Sequence, residues 1–168
     1  MKLKKNLWVI MAFMMTAALP ALAKEKREND VVKIVYQCDF PDVQRMHLMI
    51  NTLNNAVKHY QSTLEEYEID IVALGPCLQY LMKDFKNTGF EKKPYIDRGG
   101  PAGNGTAGRI KNLLMTAGDN MKIIGCQNTM KKKNVTEEQM EDYVELTPAG
   151  IIKIIDLQRE GYSYIKIM

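Results

Sequence analysis

Val31-Val-Lys-Ile-Val-Tyr-Gln-Cys38 is an apolar run of β type that closes on a cysteine. Two further runs end the same way, Ile69-Asp-Ile-Val-Ala-Leu-Gly-Pro-Cys77 and Met121-Lys-Ile-Ile-Gly-Cys126. Together the three use every cysteine of the 168-residue chain. Near-continuous apolar character over so few residues fits strands buried on both faces, as in a parallel sheet. Helical patterns separate the runs, so parallel strands would set all three sulfurs along the carboxyl rim. That rim is where open α/β sheets bind ligands and do chemistry. Thiol chemistry is therefore the clearest functional signal in the sequence.

Between the first two runs, Asp39-Phe-Pro-Asp42 breaks the strand and offers Asp42 as the cap of a helix beginning at Val43. Val43, Met46, Met49, Ile50, Leu53, Ala56, Val57 and Tyr60 then recur at three- and four-residue spacing, and the helix should end near Gln61 and Ser62. Strand two covers 67–74 and stops at Gly75-Pro76, with Leu78, Leu81, Met82 and Phe85 suggesting a short helix after Cys77. The stretch 87–108 reads as loop, with five glycines between Gly99 and Gly108.

A helix from Thr106 through Met115 follows, ended by Gly118. Strand three is 121–125, and a helical turn or two follows Cys126. Thr136-Glu-Glu-Gln139 is a capping box opening another short helix. Val144-Glu-Leu146 is a brief fourth strand. A last helix carrying Ile151, Ile154, Ile155 and Leu157 stops at Gly161, and 162–168 alternates as a fifth strand.

Strands alternating with helices indicate one α/β domain over 24–168, three-layered, with a five-stranded, mainly parallel, flavodoxin-like sheet. Right-handed crossovers leave few topologies, and the expected order is 2-1-3-4-5. In that order Cys38 neighbours both Cys77 and Cys126.

The amino-terminal residues address the compartment. Lys2, Lys4 and Lys5 form a positive segment, residues 7–19 are apolar and uncharged, and Ala21-Leu-Ala23 is a small-x-small site before Lys24-Glu-Lys-Arg27. This is the pattern of a secretory signal peptide over 1–23, cleaved after Ala23, and implies a periplasmic protein. The apolar stretch is too short for a comfortable span, so no stable membrane anchor is expected after cleavage. Losing three lysines and no acid brings the net charge of +3 to about zero, which gives no footing for a nucleic-acid partner.

An odd cysteine count in an exported protein suggests a disulfide plus a free thiol, an intermolecular bond or a metal site. There is no CxxC pair, and only His47 and His59 accompany the thiols. Cys126 is the foremost catalytic candidate. It lies between a buried strand and a helix start, where backbone N–H groups would stabilise a thiolate, with Lys131, Lys132 and Lys133 able to push the same way. The bland alternative is a small apolar residue at a strand end. Cys38 and Cys77 are either a disulfide, inert packing, or resolving thiols for Cys126; a three-thiolate Cu(I) site is a remaining option.

His47 and His59 are too far apart on one helix to share a metal. His47 is a possible base, against the commoner surface histidine. The glycine-rich stretch lacks the Gly-Lys-Ser/Thr ending of a phosphate loop and has no strand directly before it, so no nucleotide cofactor is implied.

Ile123-Ile-Gly-Cys126-Gln-Asn-Thr-Met130-Lys-Lys-Lys-Asn-Val135 resembles the cysteine segment of the DsrE/DsrF-like (YchN-like) proteins. Arg109-Ile-Lys-Asn-Leu113 is similar to the helix before it. Gly150-Ile151 onward through Leu157-Gln-Arg-Glu-Gly161-Tyr-Ser-Tyr-Ile-Lys166 is similar to the carboxyl-terminal helix and strand of exported single-domain members. Asn51, Leu53 and Asn54 of the first helix also fit.

The resemblance covers most of 31–166. It implies a flavodoxin-like domain assembling as a homotrimer or hexamer. It also implies, for Cys126, the sulfur-relay role of carrying sulfane sulfur as a persulfide between a donor and an acceptor that the sequence does not identify. The alternatives are a non-enzymatic thiol-rim module for a soft metal or small ligand, and an oligomeric scaffold holding a Cys38–Cys77 disulfide.

Overall fold

The structure, a computed structural model, describes residues 31–98 and 105–168. The expected signal peptide and the centre of the glycine-rich stretch lie outside the described residues.

Five strands, β1 (Val32–Cys38), β2 (Tyr67–Ala73), β3 (Met121–Cys126), β4 (Val144–Thr147) and β5 (Ser163–Lys166), form one sheet in which all four pairings are parallel. The α-helices are α1 (Val43–Thr63), α2 (Pro94–Asp97), α3 (Thr106–Ala117), α4 (Gln127–Lys132) and α5 (Gly150–Arg159). The three-layer α/β expectation is met.

α1 begins where the sequence places it. The Asp42 side chain accepts from the amide of Arg45 at 2.7 Å, satisfying one of the free donors of the first turn. Its stripe of Met46, Met49, Ile50, Leu53 and Val57 is buried. The stripe packs with Ile110 and Leu113 of α3 against Ile34, Tyr36, Ile69, Ile71 and Ile123 of the sheet, forming the main core. On the opposite face, Ile154 and Leu157 of α5 meet Val35, Val72 and Ile124 in a smaller core. Because that core is narrow, α5 leaves Ile151, Ile152 and Ile155 exposed.

The strand order is β4-β3-β2-β1-β5, which corrects the 2-1-3-4-5 expectation. β5, not β3, lies on the far side of β1, pairing Tyr164 with Val35 and Lys166 with Gln37. The connections explain the order. From β1 to β4 the chain steps one way along the sheet, and right-handed crossovers in one direction leave their connections on one face. The last crossover reverses to reach the free edge of β1, so α5 must lie on the other face.

The reversal creates a crevice. The chain leaving β3 turns toward the main core, where Met130 of α4 is buried, while the chain leaving the adjacent β4 enters α5 on the opposite face. Such a divergence at the carboxyl ends of neighbouring strands is where open α/β sheets place their sites. Cys126 ends β3 at that point.

Three local expectations are also corrected. The segment around Cys77 is a 3-10 helix over Gly75–Leu81 that contains the cysteine, not a helix after it, because Pro76 starts the turn early. The stretch 87–108 is not all loop, since Pro94 nucleates the single turn of α2, whose Ile96 is buried. The capping box at Thr136 is present but opens only the 3-10 turn Glu137–Gln139.

Candidate functional site

Cys126 is the one free cysteine and is only 5% exposed. By the alternation of β3 it shares a face with Ile124, the face covered by α5. The chain after β4 closes over it. The amide of Asn128 donates to the carbonyl of Pro148 at 3.2 Å, and the amide of Gly150 donates to the Cys126 sulfur at 3.2 Å.

Gly150 is there because of space. A Cβ on it would lie 3.2 Å from Cys126 Cβ, 3.3 Å from Leu74 Cβ and 3.4 Å from Val72 Cγ1. A glycine lets the opening of α5 approach the sulfur closely enough to donate without displacing these neighbours.

Burial pushes the Cys126 thiol up, but it is outweighed. The Gly150 amide, the amide and hydroxyl of Thr129 and the amide of Asn128 together hold the thiol below its ordinary value. Gly150 alone makes a hydrogen bond of ordinary geometry. Asn128 and Thr129, in the first turn of α4, act on the sulfur without a regular capping bond. Thr129 is itself held in place, because its Oγ1 accepts from the amide of Gly75 at 2.9 Å.

The three lysines after Cys126 are not among the groups that chiefly set this shift. Lys133 points its ammonium at the Phe90 ring, 5.2 Å from the centroid, and Lys131 lines a surface hollow with Glu137 and Glu138. The thiolate is favoured chiefly by backbone and hydroxyl dipoles.

Cys38 and Cys77 form a disulfide, with Cα atoms 5.6 Å apart. Both are essentially buried in the main core, on the face of the sheet opposite to Cys126. β2 also intervenes between β1 and β3, so the expected adjacency of Cys38 to Cys126 is corrected. The sheet separates the disulfide from the free thiol, which leaves neither cysteine placed to resolve Cys126 and no three-thiolate cluster. Among the described residues, no group of three or more His, Cys, Asp or Glu side chains is arranged to hold a metal ion.

His47 is half-buried on α1. Burial and then the charge of Arg109 push its pKa down, and it is not among the groups acting on Cys126. His59 sits edge-on to Tyr60 at 5.4 Å. Gly105, at the end of the glycine-rich stretch, precedes the first turn of α3 with its amide bonded to Asp97, 3.1 Å from the carbonyl oxygen.

Three residues that shape the site carry no motif. Gly150 and Gly75 read in the sequence as helix and turn punctuation, and Thr129 as a polar residue of the family-like segment. The available signal was position. Thr129 is the third residue after the cysteine, where a first-turn side chain faces back to the cap.

The family's sequence model matches residues 32–167, nearly the whole described chain, under the description DsrE/DsrF-like family. The chain belongs to the DsrE/DsrF-like family. No curated protein matches it. Among solved structures, it is similar to a protein of unknown function from Methanobacterium thermoautotrophicum. That likeness has a TM-score of 0.59 at 21% identity and covers 80% of this chain and 98% of the other. A likeness at this identity speaks to the fold, and it agrees with the five-stranded parallel α/β domain. Membership in the DsrE/DsrF-like family associates the chain with sulfur relay.

Proposed function

We propose that this DsrE/DsrF-like protein is an exported sulfur carrier in which Cys126 accepts sulfane sulfur as a persulfide and passes it on. The observation that carries the reading is the enclosed free thiol whose sulfur receives the Gly150 amide and is held toward its thiolate form. A thiolate is the nucleophile that sulfur exchange requires. It attacks the outer sulfur of a persulfide donor R–S–SH, forming Cys126–S–SH and releasing R–S⁻. In the onward step an acceptor thiolate attacks the outer sulfur, and the Cys126 thiolate leaves. Each step exchanges one S–S bond for another and needs no separate oxidant.

The near-complete burial of Cys126 suits a small donor such as a polysulfide or low-molecular-weight persulfide, because a folded protein disulfide cannot reach the sulfur directly. The buried Cys38–Cys77 disulfide supports an oxidising, extracytoplasmic location, where such bonds persist. The exposed Ile151, Ile152 and Ile155 support assembly into a homo-oligomer through α5.

Cyanide tests the reading, since it strips sulfane sulfur as thiocyanate. Protein loaded with polysulfide and desalted should release one equivalent per chain, and Cys126→Ser none. Absence of cyanide-labile sulfur from the wild-type protein refutes it.

A further inference from the structure

The turn between β2 and the 3-10 helix is fixed at both ends to one residue. The amide of Leu74 donates to the carbonyl of Cys38 at 2.9 Å, continuing the β1–β2 ladder, and three residues later Cys77 is bonded to Cys38 through sulfur. The amide of Cys77 closes the turn on the carbonyl of Leu74 at 3.3 Å. Inside the turn, Gly75 adopts φ +55°, a left-handed conformation that favours glycine. Its amide donates to Thr129 Oγ1 at 2.9 Å. Leu74, at the start of the turn, packs its Cβ against Gly150.

We propose that the Cys38–Cys77 disulfide positions the Cys126 site from across the sheet, by clamping the turn 74–77 so that Gly75 orients the Thr129 hydroxyl and Leu74 backs Gly150. The inference rests on the reading that Cys126 reacts as a thiolate. Cys38, Cys77 and Gly75 are positioning residues that act through Thr129, whose hydroxyl meets the Cys126 sulfur. An accepted Gly75 N–H fixes the Thr129 oxygen and leaves the hydroxyl proton as the group presented to the Cys126 sulfur. A turn free to drift would lose that aim and loosen the support behind Gly150 together. The disulfide is buried, so it acts as a permanent brace set when the protein is oxidised, and not as a readily cycled switch.

The test is the pH profile of Cys126 alkylation in the intact chain, where the other two cysteines are blocked by their own bond. Thr129→Val should move the profile to higher pH and slow alkylation at neutral pH about tenfold, the scale of one hydrogen bond to a charged group. Thr129→Ser, which keeps the hydroxyl, should restore it. The double variant Cys38→Ala/Cys77→Ala should shift the profile the same way, and adding Thr129→Val to it should change little further.

If the double variant does not fold, Gly75→Ala keeps the disulfide and disturbs the turn, and it should produce the same shift. A wild-type profile in folded Cys38→Ala/Cys77→Ala or in Gly75→Ala overturns the brace while leaving the sulfur-carrier reading intact. An ordinary thiol profile in the wild-type protein overturns the underlying reading instead.

Discussion

The backbone amide of Gly150 donates to the sulfur of Cys126 at 3.2 Å, joining the first residue of α5 to the last residue of β3. This contact exists because α5 reverses direction across the sheet and brings the chain after β4 over the end of β3. It makes the thiol's chemistry depend on a residue with no functional group.

Gly150→Ala should therefore impair the site without removing any side chain that acts on it. The added Cβ falls within 3.4 Å of Cys126, Leu74 and Val72, so α5 must retreat by a few tenths of an ångström and lengthen the N–H···S bond. The Cys126 pKa should rise and cyanide-labile sulfur should load more slowly at neutral pH. Thiolate absorbance against pH measures the first, and thiocyanate release the second.

Cys126 should also shape stability against pH. Its pKa is depressed in the folded protein, so the thiolate favours folding above the unfolded thiol value, about 8.5. That contribution is lost as pH falls through the folded value. The difference in unfolding free energy between wild type and Cys126→Ser should grow as pH rises between the two values and then level off. Urea titrations over that range check it.

Asp70 should show the opposite sign. It lies on β2 facing a cleft of about 260 Å³ with Glu68 and Asp119, and is 5% exposed. Burial raises its carboxyl pKa against the weaker opposing charges of Lys122 and Lys153. A raised carboxyl costs stability once pH passes the unfolded value, about 3.9, with the full cost reached above the folded one. Asp70→Asn should stabilise the protein at neutral pH and lose that advantage below the unfolded value, as thermal melts at both pH values would report.

The disulfide should matter for the fold as a whole. Cys38 and Cys77 are 39 residues apart in sequence, and closing a loop of that length in the unfolded chain is worth about 4 kcal/mol. Cys38→Ala/Cys77→Ala should lower the unfolding free energy by about that amount and steepen the urea slope as the unfolded chain loses its cross-link, both read from the urea unfolding curve.

The alternation of strands and helices, the position of Cys126 and the start of α1 at Asp42 were legible because each follows from a local pattern. The strand order was not. Nothing within 162–168 shows which edge the last strand joins, and only the placement of α5 on the opposite face decides it. Cys126 was visible as a residue type at a strand end, yet what favours its thiolate came from residues far away in sequence. Gly150 works by being small and Thr129 by being held from Gly75, relationships that exist only once β2, β3 and β4 lie side by side. The lysine run after Cys126 was the misleading signal, since Lys133 packs on Phe90 instead of facing the sulfur.

The most direct test is the intact mass of the wild-type protein after exposure to polysulfide, beside Cys126→Ser treated identically. The account predicts a wild-type species heavier by about 32 Da, one sulfur atom, that a reductant removes and that the variant never forms. Wild-type protein that gains no mass, or a Cys126→Ser variant that gains the same mass, would contradict it.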